Sequence, residues 1–591
     1  MKASGLLLSI VMAVLPFTAK AAPVRPSAFK VTQPDGRQLE LTVIGDEFGH
    51  ITRTADGIAV VRDNSGAWRY AVTADAGHAI AGQTLAHDRK DRSISEQKMV
   101  AAINQRAITG NILGTHRQQS SIIAGGSSYA QPGDYALTHF KRSGSPKVLV
   151  VFIEFPDKRF SKDSQTMRSI YNQMYNEHGL NDTIIHNGNI IINNSGSVRE
   201  YFEAQSYGIF SPSFDIIGPI MADSSYVFYG HNDNGVDGND YRNAQVLANE
   251  ACRKIISGRL ADLSDYDSDS DGTVDMMAII YAGQGENYAG SDPNTIWPNS
   301  WSLRINSGTI RSVNYFLTCE LFWDSNETLD GIGIFCHEFS HTLGLPDYYY
   351  TNDYSGINES QASIGRWSIM DFGTYDNDGF SPIGYSAFER FSLGWLSLTD
   401  ISRAGTYSLQ DLNTGQGKAY RIPCAGSSDA CCILEYRKKE GWFRYQASEG
   451  LMVTAVNYSR SRWAGHNVNI SPTDKGYYIL PADNDYNRKS SYGDLFPYNG
   501  KDSISAWSEP ALSVCGRYWP VFNIYGIGYQ GSDMTFTLAK ECPTAVQTAT
   551  KDSETEIFDI AGRRQNFTEA DMSRGIWIVV KDGKTRKVQV R

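Results

Sequence analysis

The sequence predicts a multidomain α+β protein in which one α/β domain is flanked by β-rich segments. The chain has 591 residues, which is more than one hydrophobic core usually serves. Its central part combines nearly continuous apolar runs with helix-length patterns, as expected of strands covered on both faces. Short apolar strands between Gly, Asn, Asp and Pro turns fill both flanks.

Residues 1–21 have the features of an export signal. Lys2 is followed by an apolar stretch from Leu6 to Phe17 and by a small-x-small cleavage site ending at Ala21. No later stretch approaches the ~20 continuous apolar residues of a membrane-spanning helix. We therefore expect an exported, soluble protein without an integral membrane span.

Residues 22–118 are expected to form a small β-rich prodomain. Apolar-rich strands such as Leu39–Ile44 and Gly57–Arg62 alternate with turns. The polar stretch from Asp88 to Gln119 has the composition of a processing linker. An ordinary accessory domain is the alternative.

Residues 119–398 are predicted to be an α/β domain. Pro146–Glu154 and Met276–Tyr281 are apolar runs typical of central strands. Helices are expected at about 164–178 and at Leu329–Leu343.

The remaining chain is predicted to be β-rich. Short strands such as Cys432–Glu435 and Gly450–Ala455 indicate a β-sandwich over residues 399–543. A polar linker at about 543–554 leads into a small C-terminal β domain, residues 544–591.

The net charge and the cysteine content bear on which ligands the chain can bind and on whether it contains disulfides. The net charge of −11 and the lack of a dense basic run argue against nucleic-acid binding. Eight cysteines in an exported chain make disulfides plausible. None forms a CxxC pair with the spacing of a zinc knuckle.

The segment His337-Glu338-Phe339-Ser340-His341 predicts a metal-binding helix. Residues four apart project from one helix face, so His337 and His341 can present two imidazole nitrogens to one zinc ion. Glu338 lies about 100° around the helix, beside the metal. The opposite face carries apolar residues that can anchor the helix in a core: Ile332, Phe335, Phe339 and Leu343.

A catalytic zinc needs a third protein ligand and an open position for water. No histidine occurs between His341 and His466, which favours a carboxylate. Asp347 is the first candidate, because Gly344 permits a sharp return of the chain. Glu359, farther along the chain, is the second.

The segment His337–Asp347, which reads HEFSHTLGLPD, resembles the immune inhibitor A family of secreted bacterial zinc metallopeptidases, relatives of the metzincins. The resemblance is strong over residues 145–400 and implies a zincin-type catalytic domain that acts on proteins or peptides. It also implies that the protein is made as a zymogen and serves as a virulence factor. Further matching segments are Val150–Pro156, Gly196–Phe202, Ile296–Pro298, Gly384–Ser386 and Leu393–Trp395.

The resemblance also places Ser368–Met370 where such enzymes have a Met-turn beneath the metal. Two departures stand out. Tyr348 occupies a position that is often acidic in the family, and Asp347 stands where metzincins have histidine.

Zinc-dependent hydrolysis assigns roles to two further residues. Glu338 is expected to act as general base toward the attacking water. Tyr375 is a candidate hydrogen-bond donor to the developing oxyanion, and a packed loop aromatic is the alternative.

Residues 265–275 resemble a calcium loop. Asp267, Asp269, Asp271 and Asp275 match loop positions one, three, five and nine, with Gly272 at six. Position twelve is alanine, so another segment must complete the shell. We expect bound calcium to stabilise the catalytic domain.

The C-terminal segments Ile557–Arg564 and Gly575–Val580 resemble the sorting domain of type IX secretion substrates in Gram-negative bacteria. This likeness implies outer-membrane secretion machinery as a partner. It also implies an extracellular or outer-membrane-surface location.

Two other functions compete with this hypothesis. One is a surface adhesion protein with an inactive peptidase fold, suggested by the aromatic-rich residues 400–543. The other is a gluzincin-type peptidase that uses Glu359. We expect the protein to be a monomer.

Overall fold

The structure is a computed structural model of the whole chain. The residues that it describes are 24–25, 27–46, 49–63, 65–75, 78–114, 140–179, 184–186, 189–192, 194–231, 241–288, 294–323, 327–350, 363–414, 417–469, 471, 473–486, 491–540, 556–565, 572, 575–581 and 584–590. The chain divides into two compact units, residues 1–540 and 541–591. Several sheets and helices together give a mixed α+β protein.

The first unit begins with an antiparallel sheet of six strands in sequence order. Two helices pack on it, through Val100 of the first and Ile108 and Ile112 of the second. The strands are β1 (Phe29–Thr32), β2 (Gln38–Asp46), β3 (Gly49–Thr54), β4 (Ala59–Arg62), β5 (Trp68–Asp75) and β6 (His78–Leu85). The helices are α1 (Ile94–Ala102) and α2 (Gln105–Gly114).

A second sheet organises the region predicted to be α/β. Its order is β10-β7-β11-β13-β12, and all neighbours are parallel except the antiparallel edge strand β12. The strands are β7 (Lys147–Glu154), β10 (Ser213–Met221), β11 (Thr273–Gln284), β12 (Asn299–Ser307) and β13 (Ile310–Leu321). A separate hairpin is formed by β8 (Ile184–His186) and β9 (Asn189–Ile192).

Helices cover both faces of this sheet. Alternate residues of β7 point to opposite faces, so Val150 packs with one buried cluster and Val151 with the other. The helices are α3 (Ser164–Asn176), α4 (Val198–Gln205), α5 (Tyr226–Gly230), α6 (Tyr241–Gly258), α7 (Ile332–Thr342) and α8 (Ala387–Ser392). The predicted strands and helices of this region are thus present, with shifted ends.

The expectation of a helix with one apolar face does not describe α7. Every residue of α7 is buried, including the face of His337 and His341. Ser340 is accommodated because its hydroxyl donates to the Cys336 carbonyl at 2.6 Å and is paired with the Tyr385 hydroxyl. The helix therefore crosses the interior of the unit.

The rest of the first unit contains two further sheets packed over one core. One has the order β14-β16-β17-β18-β19 and the other β15-β21-β20. Their elements are β14 (Leu398–Asp400), β15 (Gly405–Leu409), β16 (Ala419–Pro423), β17 (Ala430–Arg437), β18 (Gly450–Asn457), α9 (Arg460–Ala464), β19 (Tyr477–Ile479), β20 (Asn523–Gln530) and β21 (Asp533–Ala539).

The second unit is a small four-stranded antiparallel sheet with the order β23-β22-β24-β25. Ile557, Met572 and Val579 form its buried cluster. The strands are β22 (Glu556–Asp559), β23 (Arg564–Gln565), β24 (Gly575–Lys581) and β25 (Lys584–Val590).

Among the described residues, no helix combines the length and apolarity needed to cross a membrane. The seven cysteines in the described part of the chain are all free thiols. The disulfides expected from sequence are therefore not formed among these seven.

Candidate metal centre

The start of α7 is held by a close backbone contact. A Cβ atom placed on Gly333 would lie 2.1 Å from the Thr374 carbonyl oxygen, and one on Gly331 would lie 2.3 Å from that of Gly379. Glycine at both positions lets the segment 374–379 pack directly against the first turn. This contact fixes where the helix presents its two histidines.

Both imidazole rings are oriented by backbone carbonyl groups. Nδ1 of His337 lies 2.7 Å from the Ile369 oxygen, and Nδ1 of His341 lies 2.7 Å from the Leu345 oxygen. Because a carbonyl only accepts hydrogen bonds, each Nδ1 must carry the proton. In the neutral rings, each Nε2 therefore presents a lone pair.

Asp347 completes the cluster. Gly344 has a φ of 107°, and the amide of Leu345 donates to the Ser340 carbonyl at 3.1 Å, so the chain turns back at the end of α7. Oδ1 of Asp347 then lies 3.3 Å from Nε2 of His337 and 3.4 Å from Nε2 of His341. The structure thus brings together the three residues chosen from sequence.

These three side chains fit a zinc ion. Their ligand atoms lie within 4.8 Å of one another, and all three residues are buried. A tetrahedral ion with bonds of about 2.1 Å separates its ligands by about 3.4 Å, close to the distances from Asp347 to the two rings. Two imidazole nitrogens and one carboxylate are also a familiar donor set for catalytic zinc.

The electrostatics of the cluster show strong mutual attraction. Burial raises the pKa of the Asp347 carboxyl, but His341 and His337 outweigh burial and hold that pKa well below its usual range. Burial lowers the pKa of His337, yet the hydrogen bond and charge of Asp347, together with the charge of Glu338, raise it overall. The site therefore favours a positive charge between the rings and the carboxylate.

Glu338 and Met370 occupy neighbouring positions. Glu338 is fully buried on α7 next to His337. Met370 is also fully buried, and its carbonyl accepts from the Tyr348 amide at 2.8 Å. It follows Ile369, the acceptor for His337, so the segment expected to form a Met-turn supports the metal cluster.

Tyr375 packs in one cluster with Ile334, which lies three residues before His337 on α7. Its ring belongs to a small buried cluster with Ile334, Tyr349 and Phe372. Burial raises its pKa above the usual value, and the neighbouring Asn287 side chain opposes that shift. The Tyr375 ring is thus held in the protein interior beside the buried Asn287. The alternative ligand Glu359 lies outside the described residues.

His466 is a residue that the sequence did not indicate. Its ring lies beside that of His341, with centroids 5.6 Å apart and an interplanar angle of 67°. It follows α9 and has a φ of 52°. No spacing relative to the motif could reveal this contact, because it depends on the packing of distant segments.

The acidic loop forms a second carboxylate cluster. Ligand atoms of Asp267, Asp269 and Asp271 lie within 4.8 Å of one another. Asp267 accepts from the amides of Asp271 at 3.1 Å and Gly272 at 3.0 Å. Gly272 has a φ of 88°, as the tight bend requires.

Asp275, the fourth expected ligand, is joined to this loop differently. Its Oδ2 accepts from the Ser268 amide at 2.7 Å. Burial raises its pKa to about 6, and the charges of Asp269 and Asp267 add to that shift. The structure therefore groups three of the four expected residues as a candidate metal cluster, whereas Asp275 contacts the loop through the Ser268 amide.

Residues 136–392 match the family model described as immune inhibitor A peptidase M6, catalytic domain. The pre-pro-metalloprotease PrtV of Vibrio cholerae serotype O1 is 27% identical over 274 residues, which cover 41% of this chain and 29% of the relative. Immune inhibitor A of Bacillus thuringiensis subsp. alesti is 25% identical over 306 residues, which cover 46% of this chain and 43% of the relative.

The chain thus spans less than half the length of these curated relatives. The family match includes the whole second sheet and α7, and therefore the cluster of His337, His341 and Asp347. The comparisons support a metallopeptidase domain like that of immune inhibitor A in residues 136–392.

Proposed function

We propose that this chain is a secreted, zinc-dependent endopeptidase that hydrolyses peptide bonds of proteins. The observation that carries the proposal is the convergence of His337, His341 and Asp347 on one buried point. A divalent cation at this point would bind both lone pairs and the carboxylate oxygen.

His337, His341 and Asp347 would hold the zinc ion. When bound, zinc supplies Lewis acidity that acidifies water and polarises a peptide carbonyl group. Glu338 takes the proton from the attacking water and returns it to the leaving amine. The carbonyls of Ile369 and Leu345 keep both rings in the tautomer that binds metal.

Tyr375 is our proposed donor to the developing oxyanion. For this role its hydroxyl must reach the substrate from its buried position beside Asn287. Its packing with Ile334, on the helix that carries the histidines, supports the proposal.

We also propose the domain organisation implied by the sequence. An export signal (1–21), a prodomain (22–118), the catalytic domain (119–398), a β-sandwich domain (399–543) and a sorting domain (544–591) would follow one another. The protein would be made as a zymogen and pass through outer-membrane secretion machinery. It would act outside the cell or at the outer-membrane surface.

Calcium is the second proposed metal. Asp267, Asp269, Asp271 and Asp275 would bind it at the start of β11, the central strand beside β7. A bound cation would offset the repulsion among these carboxylates.

The substitution Glu338→Gln tests the proposed chemistry. The amide is isosteric and cannot accept the proton, so we expect casein cleavage to fall by at least about 1,000-fold while zinc content stays near one ion per chain. Glu440→Gln, at an exposed position, is the matched control. Casein cleavage by Glu338→Gln at a rate comparable to the parent would refute the role of Glu338.

The adhesion alternative has its own observation. Trp507, Trp519 and Tyr529, in the β-rich part of the first unit, expose large aromatic side chains. If adhesion were the function, Glu338→Gln would bind host surfaces as well as the parent, and the parent would show no chelator-sensitive cleavage.

A further inference from the structure

Arg25 inserts its side chain among three aromatic rings. Its Cζ atom lies 5.9 Å from the ring centroid of Tyr288, 5.0 Å from that of Phe322 and 5.5 Å from that of Trp323. Its Nη2 pairs with the Asp378 carboxylate. The Arg25 side chain is only 12% exposed, whereas that of Asp378 is 63% exposed. Tyr288, Phe322 and Trp323 thus line a pocket around the guanidinium group, and the exposed Asp378 carboxylate lies at its solvent side.

Every one of these partners belongs to the region that matches the peptidase family. The rings also support one another without Arg25, since the centroids of Tyr288 and Phe322 lie 5.7 Å apart and those of Phe322 and Phe380 lie 5.2 Å apart. The Tyr288 hydroxyl donates to the buried Asp330 carboxylate. The pocket is therefore built by the catalytic region itself.

The backbone conformation of Trp323 is strained. Its φ is 26°, a left-handed value that is costly for a bulky residue. Such strain persists where the surroundings enforce it, and it concentrates at ligand sites. Here it holds the indole ring beside the guanidinium group.

The pocket adjoins the N-terminal end of α7, the helix that carries His337 and His341. Asp378 precedes Gly379, whose carbonyl contacts the first turn of α7, and Asp330 directly precedes that turn. His337 lies about 7.5 Å farther along the helix axis than Ile332. An extended peptide covers that distance with two or three residues.

The backbone of Arg25 is bound as well. Its amide donates to the Asn287 carbonyl at 3.2 Å, and the Asn287 side chain lies beside Tyr375. An extended substrate makes main-chain hydrogen bonds of the same kind. The backbone contact of Arg25 therefore resembles that of a bound substrate residue.

We propose that Tyr288, Phe322, Trp323 and Asp378 form a subsite for a basic substrate side chain, which Arg25 fills in the unprocessed chain. The ligand class is an arginine-containing peptide, with lysine bound less well. A planar guanidinium group stacks on aromatic rings and pairs with a carboxylate at the same time, which a lysine ammonium group does less effectively. This inference rests on the proposed function, because a subsite implies a peptidase.

Asp330 is a buried acidic group near Arg25. Burial raises its pKa to about 6, hydrogen bonds from Tyr288 and the Gly331 amide oppose that shift, and the charge of Arg25 adds a smaller opposing effect. When Arg25 leaves, a basic substrate side chain would restore the positive charge near this buried group.

Binding to the full chain tests the pocket without relying on cleavage. The probe is the acetylated, amidated tetrapeptide Pro-Val-Arg-Pro, which copies residues 23–26, and its neutral counterpart has citrulline in place of arginine. In the full-length double variant Arg25→Ala/Glu338→Gln, calorimetry should show at least about tenfold tighter binding of the arginine peptide. The single variant Glu338→Gln, with its pocket filled, should bind it at least about tenfold more weakly than the double variant.

Adding Asp378→Asn should remove most of the preference for arginine, whereas the exposed control Asp429→Asn should preserve it. Equal affinity for the two peptides in Arg25→Ala/Glu338→Gln would overturn the proposal. So would a preference that survives Asp378→Asn.

Cleavage separates this proposal from the one on which it rests. Mass spectrometry of a peptide library digested by the processed parent protein should show arginine enriched at one fixed position near the cut. Cleavage without that enrichment would overturn the subsite and leave the peptidase function intact. Preferential binding of the arginine peptide without any cleavage would support the pocket and refute the peptidase function.

Discussion

The rings of His341 and His466 lie 5.6 Å apart, although one belongs to α7 and the other follows α9 in the β-rich part of the first unit. The contact links the candidate metal helix to a segment outside the family match, which ends at residue 392. His341 is buried and is also held by the Leu345 carbonyl, so His466 acts on a ring that is already oriented.

Removing this ring contact should weaken metal binding moderately. Aromatic pairs are worth about 0.5–1.5 kcal/mol, so His466→Ala should lower zinc affinity by about 2- to 10-fold. His466→Phe keeps a ring and should bind zinc within about twofold of the parent. Competition with a fluorescent zinc chelator measures both. If the Phe variant lost as much affinity as the Ala variant, ring packing would not be the cause.

The substitutions Asp347→Ala and Glu359→Ala distinguish the two candidates for the third zinc ligand. Asp347→Ala leaves two imidazoles without their carboxylate and should lower zinc affinity by more than about 100-fold, since even outer-shell changes cost about 10- to 100-fold. Glu359→Ala should keep a full zinc content. Elemental analysis of both dialysed proteins, with circular dichroism to verify folding, decides between them. Zinc loss in the Glu359 variant alone would reverse the assignment.

Local patterns predicted much of this arrangement. The four-residue spacing of His337 and His341 predicted that both lie on one face of a helix. Gly344 predicted the turn that brings Asp347 back to them. The apolar run at β7 predicted a strand that is covered on both faces. Each of these inferences uses residues that are close in the chain, where helix and strand geometry fixes the outcome.

Contacts between distant segments could not be predicted in this way. The carbonyl of Ile369, the ring of His466 and the side chain of Arg25 reach the catalytic region through tertiary packing alone. The complete burial of α7 was also missed. A polar residue such as Ser340 indicates solvent only until a buried partner such as Tyr385 satisfies it.

Calcium should stabilise the protein through the acidic loop. At about 100 times its dissociation constant, a bound ion adds about 2.7 kcal/mol, which corresponds to a rise in Tm of roughly 5–10 °C. Asp271→Asn keeps the acceptor for the Thr273 amide but removes a charge, so it should abolish most of that rise. Scanning calorimetry with calcium, with magnesium and after chelation measures the effect. The exposed control Asp502→Asn should keep the full rise. A calcium response that is unchanged in Asp271→Asn would exclude this loop as the site.

Tyr375→Phe tests the proposed oxyanion donor. Loss of one such donor typically lowers kcat by about 100-fold or more, with a smaller effect on KM. Steady-state cleavage of a quenched fluorescent peptide separates the two parameters. Tyr445→Phe, at an exposed position, should leave both parameters unchanged. A Tyr375→Phe enzyme with the parent kcat would exclude the Tyr375 hydroxyl as the oxyanion donor.

The buried carboxyl group of Asp494 should lower the stability of the folded protein as the pH rises. Burial raises its pKa to about 7, and the Trp367 indole donates to its carboxylate at 2.6 Å. Between about pH 4 and 7 the folded protein holds a proton on this group that the unfolded chain, with a carboxyl pKa near 3.8, has released. The free energy of unfolding therefore falls through this window and stays lower above pH 7.

Asp494→Asn keeps an acceptor for the Trp367 indole and cannot ionise. Relative to the parent, its free energy of unfolding should rise between pH 5 and pH 8 by an amount of the order of 2 kcal/mol. Urea unfolding of both proteins at the two pH values measures this difference. Because other titrating groups are common to both proteins, their contributions cancel in the comparison. A parent-to-variant difference that is the same at both pH values would show that Asp494 ionises in the folded protein as it does in the unfolded chain.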